Sequence, residues 1–430
     1  MGCSSSRSNG ALQRARAGYE AARLRYVRAL EGKGLLFEPA FEGADRRSAL
    51  RAQLAARGVK SRNGGASLSS GFLSAACIEC TGNQGSETFS TTFACHRDCY
   101  FCFNRNQPDY DLFFRNGCPW EEAVARSIEE NSQMACVGIT GGEPLLDLQG
   151  ALDLLGRTRT AWPHAHTRLY TAGDLLDENA ASALARAGLD EIRFSIKDDD
   201  SPEMQERVFA AMRLARRFFP TVMIEMPVIP GADEHMRRLL ARAAELEIDG
   251  INLLEFCFPF CNWGEFARRG FKLKNPPFDV MYDYGYSGGL AVAGSEETIL
   301  KLMLWALDQE FPIGMHYCSL DNKHRSEIRQ KNERARNVHS CLSLDPEDFF
   351  LKCGKVFGED RACARDALSA AGCTDFVEDA DEESLAFPLR YWAALDDARA
   401  RVVEPMVCSF VYETGVQGGY VVDVALAPAP

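Results

Sequence analysis

The stretch that decides the fold is Cys95-His96-Arg97-Asp98-Cys99-Tyr100-Phe101-Cys102, because three thiolates at this spacing have few uses other than binding iron and sulfur. Cubane iron–sulfur clusters are held by cysteine thiolates, and gaps of three and two residues let one loop direct three sulfurs at three corners of a cube. The fourth iron is then left without a protein ligand. An open iron is a Lewis-acid and redox site, so three cysteines indicate chemistry more than electron storage.

A second motif follows further along the chain. The apolar run at 135–140 ends in Gly141-Gly142-Glu143-Pro144, which predicts a strand that delivers two glycines and a carboxylate to its C-terminal end. In α/β folds, ligands bind at that end of the strands. The two motifs therefore predict one site.

The Cys-x3-Cys-x-Phe-Cys loop and the Gly-Gly-Glu strand together resemble the radical S-adenosylmethionine (SAM) superfamily, over roughly residues 85–260. The resemblance implies that the open iron of a 4Fe-4S cluster binds the amino and carboxylate groups of SAM. It also implies that one electron cleaves SAM to methionine and a 5′-deoxyadenosyl radical, which abstracts hydrogen from a substrate. The alternatives are a zinc knuckle with a distant fourth ligand, or a non-catalytic iron–sulfur protein that carries electrons or binds a partner.

The resemblance maps the functional residues of the superfamily onto three cluster ligands and six SAM contacts. They are Cys95, Cys99 and Cys102 for the cluster, and Phe101, Gly141, Gly142, Glu143, Ser195 and Lys197 for SAM. The aromatic ring is expected against adenine, and the Gly-Gly-Glu segment is expected to receive the methionyl amino group. The serine and the lysine alternate with apolar neighbours along a strand, so both point to one face, where the superfamily binds the ribose and the carboxylate of SAM.

Strand and helix patterns alternate from Glu87 onward. Six strands are predicted, at 88–94, 135–140, 167–172, 191–197, 221–229 and 250–256, with helices between them. Such βα units predict a parallel sheet with right-handed crossovers. The resemblance implies the partial (β/α)6 TIM-like barrel of the superfamily.

Segments flank the predicted barrel on both sides. We expect a helical, basic N-terminal arm with a linker at 1–70, the barrel at 71–320, an aromatic lid inserted at about 262–294, and an α+β extension at 321–430. The first 62 residues carry 13 Lys and Arg against 5 Asp and Glu, so the arm either docks an acidic partner or packs on the acidic remainder of its own chain. We expect packing, because a charged helix face is usually explained within its own chain.

Two cysteine pairs outside the cluster loop predict a possible second metal site. Cys77 and Cys80 form one half, and Cys257 and Cys261 form the other. Four such thiolates suit a second iron–sulfur cluster or a structural zinc, whereas the alternative is a set of buried, unpaired thiols. Cys257 is also a candidate radical relay or hydrogen donor.

Composition limits the remaining possibilities. The 430 residues carry a net charge of −13, which argues against a nucleic-acid surface, and no apolar stretch has the length of a membrane span. The 16 cysteines without an export signal indicate a reducing, cytoplasmic setting. The expected partners are a reductant such as flavodoxin or ferredoxin and a substrate that is a peptide, a protein or a small metabolite. The extra segments favour a peptide or protein.

Overall fold

The computed structural model describes residues 9–82, 85–131, 133–197, 199–259, 261–280, 289–335, 339–396, 403–415 and 418–428. None of the helices in these ranges is both long enough and apolar enough to cross a lipid bilayer.

The strands are listed here in chain order. They are β1 (Lys60–Arg62), β2 (Ser67–Ser70), β3 (Ser86–Thr92), β4 (Cys136–Gly141), β5 (His166–Thr171), β6 (Glu191–Phe194), β7 (Thr221–Val228), β8 (Gly250–Glu255), β9 (Cys257–Phe258), β10 (Leu290–Ala291), β11 (Gly314–Cys318), β12 (Ser343–Leu344), β13 (Leu351–Phe357), β14 (Val377–Asp379), β15 (Ser384–Phe387), β16 (Met406–Gly415) and β17 (Gly418–Pro428).

The α-helices alternate with these strands over most of the chain. They are α1 (Gly10–Glu31), α2 (Ala44–Ala56), α3 (Ala75–Glu79), α4 (Tyr110–Asn116), α5 (Trp120–Glu130), α6 (Leu148–Ala161), α7 (Glu178–Arg186), α8 (Pro202–Ala215), α9 (Asp233–Glu245), α10 (Trp263–Arg268), α11 (Ser295–Asp308), α12 (Leu320–Arg334) and α13 (Asp360–Ala370).

One nine-stranded sheet contains the predicted barrel strands, in the order β1-β2-β11-β8-β7-β6-β5-β4-β3. Neighbours from β3 to β8 are parallel, and β11 joins β8 as a seventh parallel strand. All six predicted strands are present with helices between them, so the prediction of a partial TIM-like barrel is confirmed. The antiparallel hairpin of β2 and β1 extends the sheet beyond β11.

The hairpin corrects one expectation from the sequence. Its second strand lies in the Gly- and Ser-rich stretch 64–71, which we expected to be part of a linker. The main chain of this stretch pairs with β11, and Ser67 and Ser69 are buried in that pairing. Small polar side chains fit a strand here because Ser67 bonds to His316 on β11, with 2.8 Å between Oγ and Nε2.

The helices cover the sheet because their apolar faces match its apolar face. Side chains such as Ile139 on β4 and Ile192 on β6 are fully buried against Leu154 of α6 and Met212 of α8. Several helices begin at a capping side chain; Asp177, for example, accepts a 2.8 Å hydrogen bond from the amide of Ala180 in α7. This packing leaves the C-terminal ends of the strands to form the site.

The described residues divide into two compact units. The barrel unit contains those in 35–277 and 286–326, and the terminal unit contains those up to Gly34, those in 278–285, and those from Glu327 onward. The predicted segment 1–70 is therefore shared between the units, with α1 in the terminal unit and α2 in the barrel unit. The three-segment division stays a prediction.

The terminal unit is built on an antiparallel sheet in the order β14-β15-β13-β16-β17, with β12 paired to β13. Helix α1 packs on this sheet, where Leu12 joins Phe357 and Met406 in a small buried cluster. Arg14 and Arg16 of α1 form ion pairs with Glu383 (2.6 Å) and Glu404 (2.9 Å). The expectation that the basic arm packs on acidic residues of its own chain is confirmed for this helix.

Candidate active site

A cavity of about 390 Å³ lies in the barrel unit where the parallel strands end. All nine residues that the resemblance assigned to the cluster and to SAM line this cavity, as does Cys257. Residues that are far apart in the sequence are thus brought together, although their individual roles stay predictions.

The cluster loop, residues 94–102, leaves the end of β3 and is ordered by its own hydrogen bonds. The amide of Arg97 donates to the Cys95 sulfur at 3.4 Å, and the amide of Cys102 donates to the Cys99 carbonyl at 3.1 Å. Beyond the loop, the Asn104 side chain donates to the Gly141 carbonyl. These bonds hold the three sulfurs toward one cavity.

The Gly-Gly-Glu segment is hydrogen-bonded to the start of the cluster loop. The amide of Gly142 donates to the Thr92 carbonyl, and that of Glu143 donates to the Ala94 carbonyl, each at 2.8 Å. A Cβ added at Gly141 would lie 2.1 Å from the Thr92 oxygen, and one added at Gly142 would lie 2.0 Å from the Ala94 oxygen. The glycines therefore let two backbone segments of this chain pack together, besides their predicted contact with SAM.

The Glu143 carboxylate already accepts three hydrogen bonds. Thr171 Oγ1 and the Ala172 amide donate to it at 2.7 Å, and the Leu145 amide donates at 3.1 Å. Burial raises the pKa of Glu143, and these bonds oppose that rise. Since each carboxylate oxygen can accept more than one bond, the predicted role toward SAM is still compatible with this arrangement.

Two charged residues inside the cysteine loop tie it to neighbouring loops. His96 Nε2 lies 2.8 Å from Asp174 after β5, and Arg97 forms an ion pair with Asp200 after β6. Neither connection follows from the local sequence, because the acidic partners lie 78 and 103 positions away. The available signal was the presence of two cationic side chains between the cysteines.

Ser195 and Lys197 face the cavity, as their alternation predicted, while Phe194 and Ile196 are fully buried in the core. The lysine Nζ donates to Ser195 Oγ at 2.7 Å and lies 5.8 Å from the centre of the Phe101 ring. Burial raises the pKa of the Cys99 thiol, and the charge of Lys197 opposes that rise. Iron binding at the loop therefore has to release thiol protons.

The aromatic segment expected as a lid supports the cluster loop from outside the cavity. Phe266 of α10 is buried against Phe256 and Tyr100, and the Asn262 side chain donates to the Tyr100 carbonyl at 3.1 Å. In the described residues of 262–294, no side chain lines the cavity. The portion 281–288, with three of the tyrosines that suggested a lid, lies outside the described residues.

The second metal site, with Cys77, Cys80, Cys257 and Cys261 as its ligands, stays a prediction. Cys77 Sγ lies 3.3 Å from Arg193 Nη2, whereas Cys261 Sγ lies 4.0 Å from the Cys102 carbonyl oxygen. Within the described ranges, no three His, Cys, Asp or Glu side chains are grouped as ligands for a metal ion, and this holds for the three loop cysteines as well. The hypothesis of a second cluster or zinc therefore stays open beside the alternative of buried thiols, which agrees with the burial of Cys77 and Cys257.

Charged residues that the motif analysis did not identify form the floor of the cavity. Arg193 is buried and donates to Glu191 and Glu225, and Asn252 Nδ2 donates to Glu225 at 2.6 Å. Lys323, in the first turn of α12, also lines the cavity. An arginine and a lysine in a strand and a helix carry no motif, so only the fold could reveal them.

The donor set suits the cofactors that the resemblance implies. Three thiols of one loop would hold a 4Fe-4S cluster, and the Gly-Gly-Glu segment, Ser195 and Lys197 would hold SAM beside it. When bound, the cluster and SAM supply one-electron cleavage of the cofactor to a 5′-deoxyadenosyl radical.

Comparisons with known proteins agree with this site. The Radical SAM superfamily model matches residues 89–244. A Methanocaldococcus jannaschii protein, whose name assigns it provisionally to the glycyl-radical enzyme activating enzymes, is 29% identical over 296 residues, covering 65% of this chain and 72% of that protein.

Solved structures were also compared. Streptococcus suis SuiB bound to S-adenosylmethionine has a TM-score of 0.37 at 14% identity, over 55% of this chain and 51% of SuiB. Escherichia coli coproporphyrinogen III oxidase (HemN) has a TM-score of 0.36 at 18% identity, over 55% of this chain and 56% of HemN. The chain thus spans about half the length of each of these proteins. Residues 89–244 match the Radical SAM superfamily model, and the cysteine loop that opens into the cavity lies within them, so this chain is an enzyme with a radical SAM domain that uses a 4Fe-4S cluster and SAM.

Proposed function

We infer that this radical SAM enzyme abstracts hydrogen from a peptide or protein, with Cys95, Cys99 and Cys102 as its cluster ligands. The observation that carries the proposal is the single cavity shared by these cysteines, the Gly-Gly-Glu segment and the Ser195–Lys197 pair. The name of the archaeal relative supports a polypeptide substrate, since activation of another enzyme acts on a protein.

The size of the cavity also supports this choice of substrate. Small-molecule sites occupy about 300–1,000 Å³, and this cavity of about 390 Å³ would be shared with SAM. A polypeptide would need to insert only one side chain or a short backbone segment beside SAM. Modification of a small metabolite, the alternative from the sequence, would require the whole substrate to fit in that space.

The residues of the chain bind and orient the reactants. Lys197, bonded to Ser195 and close to Phe101, would fix the SAM carboxylate and ribose. The apolar wall, including Phe101, Met226 and Phe256, excludes water and competing hydrogen donors from the radical.

Cys257 would serve as a hydrogen donor to the substrate radical. Its side chain lines the cavity, and burial raises its pKa to about 12, so the sulfur keeps its proton at neutral pH. Transfer of the S–H hydrogen atom would leave a sulfur radical, which an electron from the flavodoxin or ferredoxin, together with a proton, would return to the thiol.

The first experiment tests the chemistry. The wild type, a variant with Cys95, Cys99 and Cys102 changed to alanine, and a Cys363→Ala control are reconstituted anaerobically with iron and sulfide and given SAM and a strong reductant. We expect 5′-deoxyadenosine from the wild type and the control alone. A fully loaded, reducible wild type that makes no nucleoside, even with candidate substrates present, would favour the electron-carrier alternative.

The second experiment identifies the substrate class. Extract of cells grown on deuterated medium is separated by size, and each fraction is added to the reaction. Deuterium that enters 5′-deoxyadenosine from the macromolecular fraction supports a peptide or protein substrate, whereas deuterium only from the low-mass fraction supports a metabolite.

A further inference from the structure

We propose that Lys323 is the anion-binding group of the substrate site and that it binds a carboxylate of the substrate. The inference rests on the proposed function, because it concerns the same cavity. It adds the requirement that the substrate carries a carboxylate, which the cofactor site alone does not give.

The position of Lys323 is fixed by buried hydrogen bonds in the first turn of α12. The Leu320 amide donates to Glu255 at 2.9 Å, and the Asn322 amide donates to Ser319 Oγ at 3.0 Å. These bonds fix the backbone of the turn, and the half-buried Lys323 side chain lines the cavity from it.

The other cationic side chains that line the cavity already have partners. These pairs are Arg97 with Asp200, Arg105 with Asp98, Arg193 with Glu225, and Lys197 with Ser195. Lys323 has no such partner among the described residues, since its ammonium group donates no hydrogen bond to them and forms no ion pair with them. A cation held in a cavity without a partner indicates a binding site for an anion.

The anionic side chains of the cavity do not satisfy Lys323 either. Glu143 accepts bonds from Thr171 and Ala172, and Glu225 accepts bonds from Arg193 and Asn252. Glu255 accepts the Leu320 amide and lies 3.6 Å from Lys274. Of these carboxylates, Glu225 acts on Lys323 through its field, after the thiols of Cys318 and Cys257, and without a hydrogen bond.

The order of the strands places Lys323 on the substrate side of the cavity. The predicted cluster and SAM residues follow β3, β4 and β6. Lys323 follows β11, which lies at the opposite edge of the row of parallel strands. Cys257, the proposed hydrogen donor, follows the adjacent strand β8 and lines the same wall. A carboxylate on Lys323 would therefore orient the substrate across from the cofactor.

The carboxylate could belong to an acidic side chain, to a peptide C-terminus or to a small acid, and the test separates these sources. The probes are N-acetyl-Gly-Glu-Gly-amide, its Gln counterpart, N-acetyl-Gly-Gly-Gly with a free or an amidated C-terminus, and succinate. Their dissociation constants are measured anaerobically on the reconstituted enzyme with SAM, for the wild type, Lys323→Met, Lys323→Arg and the exposed control Lys272→Met.

We expect at least one carboxylate probe to bind the wild type about tenfold or more tightly than its neutral counterpart, as a charge-assisted hydrogen bond predicts. Lys323→Met should abolish this preference, while Lys323→Arg and the control should keep it. The probe that shows the preference identifies the source of the carboxylate. Equal binding of charged and neutral probes to the wild type, or an unchanged preference in Lys323→Met, would overturn the inference.

A second measurement does not depend on the methionine variant. Lysines of the wild type are reductively methylated with ¹³C-formaldehyde, and the Lys323 signal is assigned by its absence from Lys323→Arg. Its resonance should shift with the preferred probe and not with the neutral one; the absence of a shift would contradict the inference. The same preparations are assayed for 5′-deoxyadenosine. If the wild type makes the nucleoside but shows no preference for the carboxylate probes, this inference alone is overturned. If the wild type makes no nucleoside, the proposed function is overturned.

Discussion

Gly142 is the residue at which β4 meets the backbone of the cluster loop. A methyl group there would lie 2.0 Å from the Ala94 oxygen, and that oxygen belongs to main chain that cannot rotate away. Gly142→Ala should therefore displace the loop and lower the iron and sulfide content after reconstitution several-fold. Gly156→Ala in α6, where an added Cβ meets nothing within 4 Å, is the control and should keep its full content. A Gly142→Ala enzyme with normal iron content would show that the loop tolerates the shift.

The buried His316 side chain should make the barrel less stable at acid pH. It is buried beside Ser67, and burial lowers its pKa to about 4. Because the unfolded chain binds a proton at its ordinary pKa of about 6.5, stability is fully present above that pH and is lost as pH falls toward 4. The loss should reach roughly 3 kcal/mol.

Denaturant unfolding between pH 7 and pH 4 measures this effect. His316→Gln, which cannot titrate, should show a loss smaller by that amount, whereas the exposed control His164→Gln should behave like the wild type. Identical pH profiles for wild type and His316→Gln would refute the assignment.

Among individual residues, those that belong to a motif could be predicted from the sequence, whereas those outside any motif could not. The cysteines, Glu143, Ser195 and Lys197 follow a local spacing or alternation, and all line the cavity. Arg193 and Lys323 were missed because their surroundings come from distant strands. The second metal site proposed for Cys77, Cys80, Cys257 and Cys261 stays a prediction for the same reason, because the spacing of two cysteine pairs does not show that they meet.

At the scale of elements, the cluster loop is held by the loops after β5 and β6. Arg97 is nearly buried between Asp200 and Asp174, with 13% of its side chain exposed against 6% and 7% for the two carboxylates. Arg97→Met leaves the buried Asp200 carboxylate without its cation, while Asp174 keeps His96, so the free energy of unfolding should fall by about 3 kcal/mol.

Chemical denaturation and iron content of the purified variant check this expectation together. Arg217→Met, which breaks an exposed ion pair with Glu178, should cost less than about 1 kcal/mol. If Arg97→Met were no less stable than Arg217→Met, the two acidic residues would not depend on this arginine.

Helices and strands with a strong apolar periodicity could be predicted from the sequence, whereas strand β2 could not. The six barrel strands and their helices carry apolar repeats that fix their type. Residues 67–70 are Ser-Leu-Ser-Ser, and they become a strand because β11 offers an unpaired edge, which is a tertiary effect that a local pattern does not contain.

At the scale of the whole molecule, the first helix belongs with the last strands. Leu12 is 2% exposed and packs on Phe357 and Met406. Leu12→Ala should destabilise the terminal unit by about 2–4 kcal/mol through the cavity it leaves. Amide hydrogen exchange should become faster in β13 and β16 and stay unchanged in β4 to β8.

Leu36→Ala, at a position 61% exposed, should leave exchange unchanged in both units. Faster exchange in the barrel strands of Leu12→Ala would mean that the units do not unfold separately. The basic charge of the arm predicted that it would pack on acidic residues, but only the fold shows that these residues come from the other end of the chain.

The pairing of α1 with the last strands has a consequence during synthesis. Asn9 donates to the carbonyl of Phe357, 348 positions later, and ribosomes add about 5–20 residues per second. The arginine-rich helix therefore leaves the ribosome about 20–70 seconds before its partner exists. During that interval the barrel can fold and acquire iron, while the helix remains exposed to chaperones and proteases until the final strands are made.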